Sequence, residues 1–236
     1  MTPKGASLLD RYFYFFMSLL IVVVVVSGFS RTVGRNLIHP AVPPPFILYV
    51  HAAVFSVWVV FLILQSLLVR TRHVPLHRLI GWFGVTLGAA IPAVGFPTAI
   101  TMGRFNLAHS VSDYSAEQLL IPFSDMIMFT VCFALAVYWR KKPEFHRRLI
   151  LMATCALTAA AFGRFPSGLQ PLPLMFYTGV DLLIVLGVAR DLVLNRRVHR
   201  VYLYGLPAFI IGQTIAMYTV LHKLPGWLKV ANAVLQ

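Results

Sequence analysis

Two short segments of the chain repeat one pair of residues. The first reads Arg70-Thr-Arg-His-Val-Pro-Leu-His77-Arg78-Leu-Ile, the second Arg140-Lys-Lys-Pro-Glu-Phe-His146-Arg147-Arg148-Leu-Ile. His77 aligns with His146 and Arg78 with Arg147, at an offset of 69 residues. Two neutral imidazoles facing each other can supply both axial ligands of a b-type haem iron. Guanidinium groups at Arg78, Arg147 and Arg148 would then neutralise the propionates. No C-x-x-C-H occurs, which excludes covalent c-type haem. The bland reading of the same pair is interfacial anchoring, because a His beside an Arg at a helix start is ordinary.

A second set of residues suits other chemistry. His51, Asp125 and His222 are of the types that hold zinc and leave a position open for an activated water, the arrangement of a metal-dependent intramembrane hydrolase. No H-E-x-x-H helix accompanies them. Asp125 and Asp181 could instead be the titrating groups of a proton-coupled carrier, grouped with Arg164, Gln213, Tyr177 and Tyr218 in one polar pocket. An ionised side chain at mid-membrane costs about 2.5–3.5 kcal/mol on insertion scales, so each needs a partner or a purpose. Interhelical hydrogen bonding is the structural alternative for the whole set. His51, Trp58, Gln65 and Arg72 recur every seven residues, which predicts a polar seam along one helix face.

The elements that must position these groups follow from composition. Of 236 residues, 59% are apolar and only 11% charged, and the mean hydropathy is +0.80. Soluble domains carry about 25% charged residues, so this chain cannot coat a globule in water. A soluble enzyme, a nucleic-acid-binding domain and an appended soluble module are excluded. A run of about 20 apolar residues crosses a bilayer. Seven such runs lie near 12–30, 46–69, 79–101, 119–139, 145–163, 172–189 and 201–221. The expectation is an all-α polytopic membrane protein, one seven-transmembrane-helix bundle over 1–236, with the first run retained rather than cleaved as a signal peptide.

Charge sets the orientation. A cytoplasmic N-terminus puts fourteen of the 20 Lys and Arg residues inside and six outside, which favours N-in and C-out. The net charge of +13 is then explained by basic inner loops facing the bilayer, without nucleic acid, and the bacterial cytoplasmic (inner) membrane is the expected location. Trp82, Tyr138, Trp139, Tyr202 and Tyr204 are expected in an aromatic belt at the inner boundary. The stretch 31–45 is proline-rich and is expected to be extended. The stretch 102–118, with His109, Asp113 and Glu117, is a connector that could cap the outer mouth. Cys132 and Cys155 are expected to be packing residues. Small residues, including Gly81, Gly84 and Gly88, suit close helix packing or a slot for a flat cofactor.

The paired His-Arg hairpins resemble those of uncharacterised prokaryotic multi-helix membrane families. More distantly, helices two to five are similar in layout to the four-helix core of the two-haem b-type transmembrane cytochromes. That resemblance implies His pairs from helices two and four and from helices three and five. His77 and His146 match the three–five pair, and His51 matches the ligand of helix two. Helix four carries Asp125 where the pattern has His. The readings thus imply haem b with a quinone or another membrane redox partner, zinc, or no cofactor at all, as for a carrier or a non-catalytic accessory subunit.

Overall fold

A computed structural model describes residues 8–109, 114–166 and 176–236, with side chains from Arg11 onward. The described residues are helical throughout, with no strand among them. The elements are α1 (Leu8–Val33), extended by a π-helical turn at Gly34–Ile38, α2 (Phe46–Arg70), α3 (Val74–Ala108), a 3₁₀ turn at Ala116–Leu119, α4 (Leu120–Tyr138), α5 (Pro143–Leu157), α6 (Ala159–Phe162), α7 (Phe176–Asn195), α8 (Arg200–Leu221) and α9 (Pro225–Leu235).

Five helices among the described residues are long and apolar enough to cross a membrane: Arg11–Ile38, Phe46–Arg70, Val74–Ala108, Ala116–Tyr138 and Arg200–Leu221. The fifth and sixth expected runs differ from that pattern. The fifth is divided at Thr158, whose amide and hydroxyl both bond the Cys155 carbonyl, at 3.0 and 2.6 Å. That three-residue step ends α5, and the chain resumes as the four-residue α6. The sixth is described from Phe176 onward, and its 20 residues Phe176–Asn195 include Asp181, Arg190 and Asp191. Helix α5 is interior, whereas α7 carries three charged residues and leaves Leu182, Val185, Leu186 and Val193 exposed. Six consecutive residues, Leu151 to Ala156, are buried on α5, so its small side chains pack against neighbours on every side.

Close approach explains where small residues sit. A methyl group on Gly28 would run into the Ala161 backbone, so α1 and α6 touch main chain to main chain. Gly84 and Gly88 give room to the rings of Phe61 and Phe133, while Gly81 faces open space. The heptad seam of α2 holds in part. Trp58 is buried edge-on against Phe129 and Phe133, His51 stacks on Phe55, and both amide atoms of Gln65 are buried without a hydrogen-bond partner. Arg72 leaves the seam, because it occupies the α2–α3 turn with φ of 64° and is exposed.

Three expectations about connections and boundaries change. The stretch after Ser30 stays helical to Ile38 before its prolines, α3 continues to Ala108 rather than ending near 101, and the C-terminal residues form α9. Asp113 lies outside the described residues. Helix α9 clamps the 3₁₀ turn to α3: Trp227 Nε1 donates to the Glu117 carbonyl at 3.0 Å, Lys223 pairs with the Glu117 carboxylate at 3.4 Å, and Arg104 donates to the Val234 carbonyl at 2.8 Å. Tyr202 belongs to no belt; it is 1% exposed, with its hydroxyl seated on Gly187.

Candidate functional site

The α2–α3 and α4–α5 turns meet at one end of the bundle, where Arg140 lies over the Trp82 ring, 5.4 Å from its centroid. His77 and His146 stand at these helix starts. Both are half-buried and close enough for their charges to interact. His146 Nδ1 lies 2.9 Å from the Ala136 carbonyl. With the proton on Nδ1 this is a donated hydrogen bond, which leaves the Nε2 lone pair free and fixes the ring, the way ligating histidines are commonly held. His77 Nδ1 is buried without a hydrogen-bond partner, while the ring lies within hydrogen-bonding reach of the Gln65 backbone one helix away.

The arginines expected to serve this pair divide. Arg78 is exposed and available. Arg147 and Arg148 are engaged elsewhere: both reach Glu144 Oε2, at 2.7 and 2.6 Å, and Arg148 also grips Asp191. The Arg148–Asp191 pair escapes the sequence reading. Arg148 is 1% exposed and Asp191 0%, and Arg190 joins through Nη1 to Asp191 Oδ1 at 2.9 Å. The signal present in the sequence is the Glu144–Arg148 spacing, which puts acid and base on one helix face. At the rim, burial opposes charge on Glu144, but the Arg148 hydrogen bond and the charges of Arg147 and Arg148 prevail and hold its carboxyl below the usual range. His199, whose ring packs edge-on against Phe145, is held below the usual imidazole value by burial and by Arg148.

The intramembrane acids occupy a different place. Asp125, 7% exposed, accepts from the Tyr177 hydroxyl at 3.0 Å, and Ser124 Oγ lies 3.2 Å from the same hydroxyl. The acid's partner is therefore Tyr177, not His51 or Arg164. Asp181 and Gln213 face a groove of about 350 Å³ between α7 and α8, together with Tyr177, Met217, Tyr218 and Leu221. Four of the expected pocket residues, Tyr177, Asp181, Gln213 and Tyr218, thus share one site, while Trp58, Gln65 and Arg164 do not line it. Arg164 bonds the Ala160 carbonyl of its own helix, lies over Phe29 and is within electrostatic reach of His51.

The zinc set is not assembled. Among the described residues no three His, Cys, Asp or Glu side chains gather as a metal site. His51 stacks on Phe55, Asp125 is bonded to Tyr177, and His222 is exposed and stacks on Tyr218 at 4.1 Å. Cys132 and Cys155 are free and buried. Comparison with protein-family models, curated proteins and solved structures finds no match to the chain.

Proposed function

We propose that the chain is a b-type haem-binding redox protein of the membrane, with His77 and His146 as the axial ligands. The observation that supports this most is the His146 ring, held at Nδ1 by the Ala136 carbonyl with Nε2 left free beside His77. The residues present fit the group: two half-buried imidazoles on neighbouring helix starts, an unpartnered buried Nδ1 on one of them, and open space at Gly81, one turn along the His77 face. The haem would supply one-electron chemistry. Protein groups would hold the rings and lower the polarity around them, and Arg78 is the nearby cation not engaged with Glu144 or Asp191. Its electron partner would be a quinone or another membrane redox protein.

In this reading the chain crosses the bilayer seven times, with α5 and α6 together and the charge-bearing α7 adding two crossings to the five long apolar helices. The N-terminus is cytoplasmic and the C-terminus external, in a bacterial inner membrane. A proton-coupled carrier is the second reading, favoured by the groove that holds Asp181 and Gln213.

The test is optical. Protein expressed with haem supplementation should show a low-spin Soret band and, when reduced, a sharp α-band. His77→Ala and His146→Ala should each abolish or convert that spectrum while membrane insertion persists. A folded, colourless wild-type protein overturns the reading.

A further inference from the structure

Of the acids described, Glu117, Glu144 and Asp191 each pair with Lys or Arg, and Asp125 takes the Tyr177 hydroxyl. Asp181 differs. In a chain with 20 basic residues against 7 acids, it has no ion pair among the described residues, and no basic residue lines its groove. Its Oδ1 is buried without a hydrogen-bond partner. Gln213, 4% exposed, faces Asp181 in the same groove within side-chain hydrogen-bonding reach, a neutral neighbour rather than a counter-ion. A carboxylate met by a neutral amide and by no basic group, beside a cavity of about 350 Å³, marks a place that a cation would complete.

The lining specifies that group. A carboxylate without a counter-ion attracts a cation, and Tyr177 and Tyr218 add aromatic surface to which ammonium heads are drawn. Thr178 and Thr214 add hydroxyls, and Ile210, Met217 and Leu221 make the apolar part of the lining. Ile210, Tyr218 and Leu221 are 45%, 53% and 58% exposed, so the groove opens sideways and a molecule can enter it from the bilayer with its tail still in lipid.

We propose that the α7–α8 groove binds an amphipathic organic cation of the alkylammonium class, its head on the Asp181 carboxylate that Gln213 positions and its chain along the apolar rim. This site is separate from the His77–His146 pair and does not depend on the haem reading.

Radiolabelled dodecyltrimethylammonium, equilibrated with the full chain in lipid nanodiscs and corrected for empty nanodiscs, tests it. Wild type should bind saturably at one site. Asp181→Asn should weaken binding about tenfold or more, while Asp181→Glu, which keeps the charge, should retain it. Dodecylammonium should displace the probe and dodecanol should not. Only unsaturable partitioning in wild type, equal binding by Asp181→Asn, or equal displacement by dodecanol overturns the proposal. Gln213→Leu is the second variant: it leaves the carboxylate in place and should weaken binding less than Asp181→Asn, and unchanged binding removes Gln213 from the site.

Discussion

Arg148 holds both carboxylate oxygens of Asp191, with Nε 2.9 Å from Oδ2 and Nη2 2.5 Å from Oδ1, and neither residue reaches solvent. The geometry is the two-pronged one in which a planar guanidinium matches a carboxylate. It ties α5 to α7, and the Asp191 carboxylate also takes the His199 amide at 3.3 Å, fastening the start of α8.

Breaking this pair should be costly, and replacing it should not. Asp191→Ala strands a buried guanidinium and is expected to cost about 3–5 kcal/mol, whereas a double change to apolar residues of similar volume, Arg148→Met with Asp191→Leu, should recover much of that. Unfolding midpoints of the purified variants in detergent read the difference. A single variant as stable as wild type would remove the pair from the stabilising core.

The α1–α6 contact makes a second prediction. A methyl group at Gly28 meets the Ala161 backbone, which cannot swing aside as a side chain can. Gly28→Ala should therefore push the helices apart at about 1–3 kcal/mol. Gly212→Ala is the matched control, since its methyl would lie 3.5 Å from Met128 Cε, an ordinary contact. Equal unfolding midpoints for the two variants would show that α1 does not lie against α6 in this way.

What the sequence revealed and what it hid both have physical causes. Polar residues in apolar runs stand out, so Asp181, Gln213, Tyr177 and Tyr218 could be named as one pocket, and they share the groove. Their partners were harder. Asp125 meets Tyr177 because α4 and α7 converge there, whereas spacing along one helix says nothing of which tyrosine a neighbouring helix presents. Asp191 was invisible for a different reason: at the end of a run, among Arg190, Arg196 and Arg197, it looks solvated, and only packing shows it at 0% exposure. The Pro-rich stretch misled because its prolines begin after Ile38, leaving the residues before them free to stay helical.

Acid should weaken the end of the bundle where His199 and Glu144 sit. His199 is held below its ordinary value of 6.5, chiefly by burial and next by the charge of Arg148. Its unfolded form therefore binds more protons than its folded form just below that pH. The stabilisation is complete above 6.5 and is lost as pH falls through the folded value. Glu144, held below its ordinary 4.5 by Arg148 and Arg147 against the effect of burial, acts in the same direction at lower pH, and solvent screening at its exposed carboxylate keeps that part small. Thermal midpoints in detergent should decline from pH 7 downward, and His199→Gln should flatten the upper part of the decline. A wild-type midpoint that rises on acidification from pH 7 to 5 would reverse the sign assigned to His199.

Orientation can be read with thiols, because Cys132 and Cys155 are both buried and should stay silent towards a membrane-impermeant maleimide. Lys229 on α9 and Lys141 in the α4–α5 turn are exposed, and the basic excess around the α2–α3, α4–α5 and α7–α8 turns predicts a cytoplasmic Lys141. Lys229→Cys should label in intact spheroplasts and Lys141→Cys only after permeabilisation. The reverse pattern would invert the bundle, and labelling of both in intact cells would mean that α9 and the α4–α5 turn lie on one side, with an even number of crossings between them. An odd number follows from α8 crossing alone or from α5 with α6, α7 and α8 all crossing. The count is decided by Arg164, exposed just past the end of α6: Arg164→Cys should label in intact spheroplasts if α5 with α6 crosses, and only after permeabilisation if it does not.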